Sequence, residues 1–247
     1  MMQRDVHLRP EDILNFFQVK QGDLGKIALV SGDIQRAQMC VERLENPVKN
    51  FSFLECNFWT GYFKGAKVTV GNGGFYCPDS AIATEILCTA GVDTLIRLGS
   101  CGVLREDIPV GDIIVANKAI KGDGTTAYYV DKDFIPQADK GLMDKLFQIA
   151  SGLTKAHVGP VWTTDALFRE TKEIVNSYIQ QGAIAVDMIA SSFFTIANIY
   201  KKKTAAILIA SDNLITGELG FLNPLFFQAQ AKMIDIAFKA VEEISNG

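Results

Sequence analysis

The sequence predicts an α/β fold: a mixed, mostly parallel central sheet with helices on both sides, in three α/β/α layers. Apolar runs of strand length alternate along the chain with segments of helical period. Several of those runs are apolar at every position, as strands covered on both faces require. The 247 residues contain no Pro/Ser-rich linker, low-complexity tract or internal repeat, so the length suits one large domain over 1–247.

Taken in order, Lys26–Val30 (KIALV) reads as a strand ending at Ser31-Gly32-Asp33, and Ile34–Leu44 follows with helical spacing and Arg36 in its first turn. Phe58–Phe63 and Ala66–Val70 flank Lys64-Gly65 and read as a hairpin. Pro78 suits a helix start, and the helix over Ser80–Ala90 stops at Gly91. Thr94–Leu98 (TLIRL) is a strand closed by Gly99-Ser100-Cys101-Gly102. Further strands fall at Asp112–Ala116, Ala156–Thr163, Ala183–Met188 and Thr204–Ser211. Helices fall at Lys140–Ser151, Asp165–Gln181, Ala190–Tyr200 and Pro224–Ile244. The least regular stretch, Lys118–Ala138 with its GDGTTAYY, is either a mobile loop over a site or an ordered excursion.

Composition narrows the function classes. With 48% hydrophobic residues and a net charge of −4, the chain is not of the disordered class. It has no basic block beyond Lys201-Lys202-Lys203, so a nucleic-acid partner is not expected. No apolar run approaches the ~20 residues that a membrane-spanning helix needs. MMQRDVHLRPED lacks the apolar core of a secretory signal, so the expected location is the cytoplasm. Five scattered cysteines without a CxxC pair, and only His7 and His157 to join them, predict neither a disulfide framework nor a metal site; the thiols read as buried small hydrophobes.

Ligands in such sheets lie outside the carboxyl ends of strands. The segments that qualify are Ser31–Arg36, Gly71–Gly74, Arg97–Gly102, Val186–Ile189 and Ser211–Asn213. Glycine turns let backbone N–H groups approach an anion, and an arginine adds a charge-assisted fork. Gly32 with Arg36, and Arg97 with Gly99-Ser100, therefore read as two halves of an oxyanion or phosphate site. Gly32-Asp33 is equally compatible with an ordinary strand-to-helix turn. Arg97 is harder to set aside, because an arginine inside an apolar run needs a partner when buried. A dinucleotide fingerprint, a P-loop and a nucleophile elbow are all missing, and His157 has no evident partner in the sequence.

In register, HLRPED, SGDIQRA, YFKG, GNGG…P, GVDTLIRLGSCG, VGDIIVA, TTDA, AVDM and ASD resemble the nucleoside phosphorylases of the purine nucleoside phosphorylase and uridine phosphorylase group. RLGSCG followed by VGDIIV is the most specific part. The resemblance implies a nucleoside phosphorylase-like fold and a dimer-based homo-oligomer, a hexamer. It implies cleavage of a nucleoside's glycosidic bond with inorganic phosphate as co-substrate and no other cofactor. It places phosphate on Gly32, Arg36, Arg97 and Ser100. His7 matches a histidine that reaches a neighbouring subunit's site and contacts the ribose 5′-hydroxyl. Asp212 matches the carboxyl that protonates the departing base in purine-specific members, its alternative being a helix cap. Phe168 and Arg169, with Asp187, Met188 and Ile189, fall where the nucleoside binds.

Two departures stand out. The family's V-[ED]-M-E has a second Glu that grips the ribose hydroxyls; here that place is Ile189, so either Asp187 or a water substitutes or ribose binding is impaired. The arginine lent by a neighbouring subunit falls on Leu54, and no Arg lies between Arg43 and Arg97. TTDALFRE likewise offers Leu167 and Phe168 at the base-stacking pair, with Arg169 facing either a base carbonyl or solvent. The leading expectation is phosphorolysis of purine-type nucleosides, with uridine as another substrate class. A nucleosidase using water is the alternative within the same superfamily, and Arg36 and Arg97 speak against it. A non-catalytic binding or storage relative draws on Ile189 and Leu54, against Asp212, His7 and the intact RLGSCG.

Overall fold

The structure, a computed structural model, describes residues 6–220 and 223–246. Ile27–Ser31 (β1) is buried along its whole length and lies at the centre of one half of the sheet. It pairs in parallel with Ala66–Asn72 (β4) on one edge and Thr94–Val103 (β5) on the other. Its alternation divides the core: Ala28 and Val30 enter one apolar cluster, Ile27 and Leu29 the other. Pro10–Phe16 (α1), Cys77–Thr89 (α3) and Ala190–Ile199 (α6) contribute to the first cluster. Ile34–Val41 (α2), Lys140–Leu153 (α4) and Pro224–Ser245 (α7) contribute to the second, which gives the three layers.

Cys56–Phe63 (β3) and β4 form the expected hairpin. Lys64 and Gly65 have φ of 48° and 80°, the left-handed pair that a two-residue hairpin turn needs. The helix expected through Leu44 ends at Val41 because Glu45–Phe53 (β2) pairs with β3 as an edge strand. That strand was hidden from the sequence: it is mostly exposed, contains Pro47 and changes register twice against its partner. The expected helix over Asp165–Gln181 is also interrupted. A 3-10 turn at Leu167–Arg169 precedes Lys172–Gln180 (α5), and extended Thr171 caps the latter by accepting from the Ile174 amide.

The remaining strands are Ile113–Gly122 (β6), Ala156–Thr164 (β7), Ala185–Asp187 (β8) and Lys203–Asn213 (β9). The sheet runs β2-β3-β4-β1-β5-β8-β7-β6-β9, and β9 also pairs with β5, so its second half closes into a ring. One edge of β5 stays with β9 throughout. Its other edge changes neighbour, pairing with β1 over Thr94–Leu98 and with antiparallel β8 at Gly102 and Val103. The carboxyl ends of β1 and β8 therefore face each other across Gly99–Cys101. This opening is the structural equivalent of a switch point in an open α/β sheet.

Lys118–Ala138 is an ordered excursion. The Ala119 amide donates to Pro136 O at 2.8 Å, Ala138 N donates to Asn117 O at 3.0 Å, and Lys121 Nζ donates to Asp131 O at 2.8 Å. All five cysteines are free and buried, as small hydrophobes are, and burial raises the thiols of Cys40, Cys56, Cys77 and Cys88.

Candidate active site

The opening beside Gly99–Cys101 holds both arginines that the sequence singles out. Arg36 projects from the first turn of α2, where Asp33 caps the helix by accepting from Gln35 N at 2.8 Å. Its Nη1 donates to Leu98 O at 3.2 Å, while Nε and Nη2 donate to Gln230 Oε1 at 3.3 and 3.2 Å. Burial pushes the guanidinium down to about 10, aided by nearby Arg97, so it stays protonated at neutral pH. Arg97, 5% exposed, finds the partner that an arginine in an apolar strand needs. Its Nη2 and Nε donate to Asp187 Oδ2 at 2.9 and 3.3 Å.

Gly99 makes room for this. Residues two apart on a strand share a face, and a Cβ at Gly99 would lie 2.9 Å from the Arg97 guanidinium carbon and 2.6 Å from a Leu208 methyl. The order R-L-G is thus a packing requirement as well as a motif.

Asp187 is saturated. Besides Arg97 it accepts from Thr163 Oγ1 at 2.9 Å, and the Ala190 amide lies 3.1 and 3.0 Å from its two oxygens. A carboxylate offers about four acceptor positions, and these contacts occupy them. Asp187, which the resemblance puts at the nucleoside, has a fully buried side chain that accepts from Arg97 and from the first amide of α6. Ile189, 5% exposed, shares the crevice wall with Ser31, Gly74, Ser80, Arg97 and Phe193. A Cβ on Gly32 would meet its Cδ1 at 3.5 Å, so Ile189 stands directly against the Gly32 turn. Met188 is half-buried and its carbonyl accepts from Cys77 Sγ at 3.4 Å. Ser100 is half-buried in β5 between these groups and β9.

Farther along β5, past the arginine end, lies a carboxyl end. Asp212 lies near the end of β9, opposite Gly102, and accepts from Ser211 Oγ at 2.7 Å. Asp212 leads into a turn rather than a helix, so it caps none there; the turn is held by Asn213 Oδ1, which accepts from Ile215 N and Thr216 N at 2.9 and 3.0 Å. Glu170, which sequence reasoning missed, lies close enough to Asp212 to feel its charge. Burial first, and Asp212 second, push the Glu170 carboxyl up to about 7. Its position just beyond the irregular LFR turn gave no periodic signal.

The other candidates stand apart. Phe168 is 96% exposed and Arg169 is exposed, both on the 3-10 turn after β7. His7 is exposed ahead of α1 and makes no hydrogen bond or ion pair among the described residues. Leu54 is 65% exposed at the tip of the β2–β3 hairpin with φ of 51°. None of the four lines the crevice. His157 does have a partner: its Nε2 lies 2.8 Å from Asp112 Oδ2, at the opposite end of β6 and β7 from Thr164. Two further polar groups were also missed. Gln230 holds Arg36 from 194 positions away. Asp123 joins the excursion to α6 by accepting from Ser191 Oγ and, at 2.8 Å, from Thr126 N.

Residues 26–241 match the model of the phosphorylase superfamily. A DeoD-type purine nucleoside phosphorylase from Jannaschia sp. (strain CCS1) is 33% identical over 201 residues, 80% of this chain and 86% of that protein. A guanosine phosphorylase from Halorubrum lacusprofundi is 30% identical, over 81% of this chain and 83% of its own. Among solved structures, uridine phosphorylase from Vibrio fischeri ES114 superposes with a TM-score of 0.82 at 22% identity, covering 92% of this chain and 96% of that one, which speaks to the fold. With the crevice geometry above and a family match that spans every strand from β1 to β9, the chain belongs to the phosphorylase superfamily, in its nucleoside phosphorylase family.

Proposed function

We propose that this protein cleaves the N-glycosidic bond of a nucleoside by phosphorolysis, with purines favoured, giving free base and (deoxy)ribose 1-phosphate. The observation that carries the reading is the pair of buried guanidiniums, Arg36 and Arg97, set where the ends of β1 and β8 face each other. Phosphate binds there with the N–H groups of Gly32 and Ser100. A phosphate oxygen bonds to C1′ as the C1′–N bond breaks, and its electron pair leaves with the base. Asp212 delivers a proton to that base, offsetting the charge that develops on it. The purine and guanosine phosphorylases among the relatives support the choice of base.

With Asp187 committed to Arg97 and Ile189 apolar, the sugar meets fewer acceptors, so 2′-deoxyribonucleosides are the preferred substrates. Leaving a 2′-hydroxyl unpaired costs ~1–3 kcal/mol. Met188 adjoins the sugar, and Phe168 and Arg169, which stand apart from the crevice in the single chain, join the nucleoside site where a neighbouring subunit covers them. The exposure of His7, Leu54 and Phe168 supports a homo-oligomer, dimer-based and hexameric, in which neighbouring subunits cover these residues. The working location is the cytoplasm; among the described residues no helix is long and apolar enough to cross a membrane.

The test is a panel of inosine, guanosine, adenosine, uridine and their 2′-deoxy forms, assayed for free base with and without phosphate. Release that requires phosphate is the expected result. Release in plain buffer assigns a nucleosidase, and no release with bound nucleoside assigns a binding protein.

A further inference from the structure

The carboxylate of Asp187 has two oxygens and a division of labour between them. Oδ2 takes Nε and Nη2 of Arg97, and Oδ1 takes the Thr163 hydroxyl, while the Ala190 amide lies within reach of both. A guanidinium carries five N–H donors in a rigid fork, so this single-oxygen contact uses one edge and leaves the Nη1 side of Arg97 uncommitted. The same guanidinium lines the crevice, lying over Gly99, whose missing Cβ is what admits it. Asp187 is itself held from three directions: by Thr163 on β7, by the first amide of α6 and by Arg97 on β5. Thr163 is fixed in turn, since its Oγ1 accepts from Ser191 N at 3.0 Å.

We propose that Asp187 is a positioning residue of the anion site: acting through Arg97, it holds one edge of the guanidinium so that the other is presented to phosphate, and it makes no contact with the nucleoside. This rests on the phosphorolytic reading above. An arginine side chain has several rotatable bonds, and holding its fork in place before the anion arrives lowers what must be ordered on binding. The carboxylate also fills a gap left by the sequence. Ile189 occupies the cap position of α6 without a polar side-chain atom; Thr163 Oγ1 accepts from Ser191 N, an amide that a capping side chain would otherwise satisfy, and Asp187 accepts from the first amide of the helix, that of Ala190.

The experiment compares Asp187→Asn and Asp187→Glu with the wild-type protein, measuring inorganic phosphate affinity by calorimetry and inosine affinity in the absence of phosphate. In Asp187→Asn the amide donors face those of Arg97 and turn the fork away. The expected result is a phosphate Kd raised roughly tenfold or more, with inosine affinity within about twofold of wild type. Asp187→Glu, which keeps the charge, recovers part of the loss. Wild-type phosphate affinity in Asp187→Asn overturns the positioning role, and so does an equal loss of phosphate and inosine. If Asp187→Asn does not fold, Thr163→Val leaves both charges in place and removes the hydroxyl that donates to Oδ1 and accepts from Ser191 N. A loss of phosphate affinity alone is then expected, and unchanged affinity overturns the proposal. A wild-type protein that binds no phosphate removes the phosphorolytic reading together with this one, whereas phosphate binding that ignores Asp187 removes this one alone.

Discussion

At the arginine end of the crevice the groups are buried and held by several partners each, whereas at the carboxyl end Phe168 is 96% exposed and no cation pairs with Glu170 among the described residues. Arg97 and Asp187 are fixed by residues of β7, β8 and α6; Glu170 sits on an irregular turn that only Thr171 separates from α5. The difference teaches that the arginine end is held rigid by buried hydrogen bonds, as the proposed phosphate site requires, while the carboxyl end is left more open to solvent. The arginine end should therefore couple to stability, and the carboxyl end to rate and selectivity.

Arg97→Ala tests that contrast with the largest effect. It leaves the fully buried Asp187 without its cation, which costs about 3–5 kcal/mol of stability, and largely abolishes phosphate binding. Chemical denaturation and calorimetry measure the two losses; a variant as stable as wild type would break the comparison. Asp212→Asn is next. It retains an acceptor for Ser211 Oγ but no acidic proton, so kcat should fall about 100-fold or more while phosphate Kd and stability stay put. Parallel loss of phosphate affinity would show that the two ends are not separable.

Ile189→Glu sharpens the boundary between them. It adds an acceptor beside Arg97, and the ratio of kcat/KM for ribonucleosides over 2′-deoxyribonucleosides should rise by roughly tenfold. An unchanged ratio would mean that the sugar does not meet this wall.

The smallest effect is expected at Glu170. Its folded value of about 7 lies above the ordinary 4.5, so the folded state binds more protons between those limits. The stability this group contributes is present below pH 4.5 and is lost as pH rises to about 7. Glu170→Gln should match wild type in acid and be modestly more stable than it above neutral pH, as read from denaturation curves across that window. A pH-independent difference between the two would remove the carboxyl pair.

Much of this was legible in the chain. The alternation of apolar runs and helical periods gave the layers, Lys64-Gly65 gave the hairpin, and the argument that an arginine in TLIRL needs a partner anticipated the contact with Asp187. What stayed hidden shares a physical cause. β2 is an exposed, bulged edge whose side chains have no alternating pattern. The pairing of β9 with β5 joins segments about a hundred residues apart, and the Gln230 contact to Arg36 spans 194. Local periodicity carries no information about such meetings. That Asp187 is the partner of Arg97, and that it also meets Thr163 and Ala190 N, was not legible either, because spacing locates a carboxylate and only packing says which hydrogen bonds it makes.

The change of neighbour along β5 has a longer consequence. The crevice exists because β1 ends where β8 has not yet begun, and no particular side chain is needed to keep it open. A cleft made by strand order persists while its lining is exchanged, so an apolar residue such as Ile189 can stand in its wall without erasing the place where a ligand lies. Strand order makes the place, and the side chains that line it decide what the place is for.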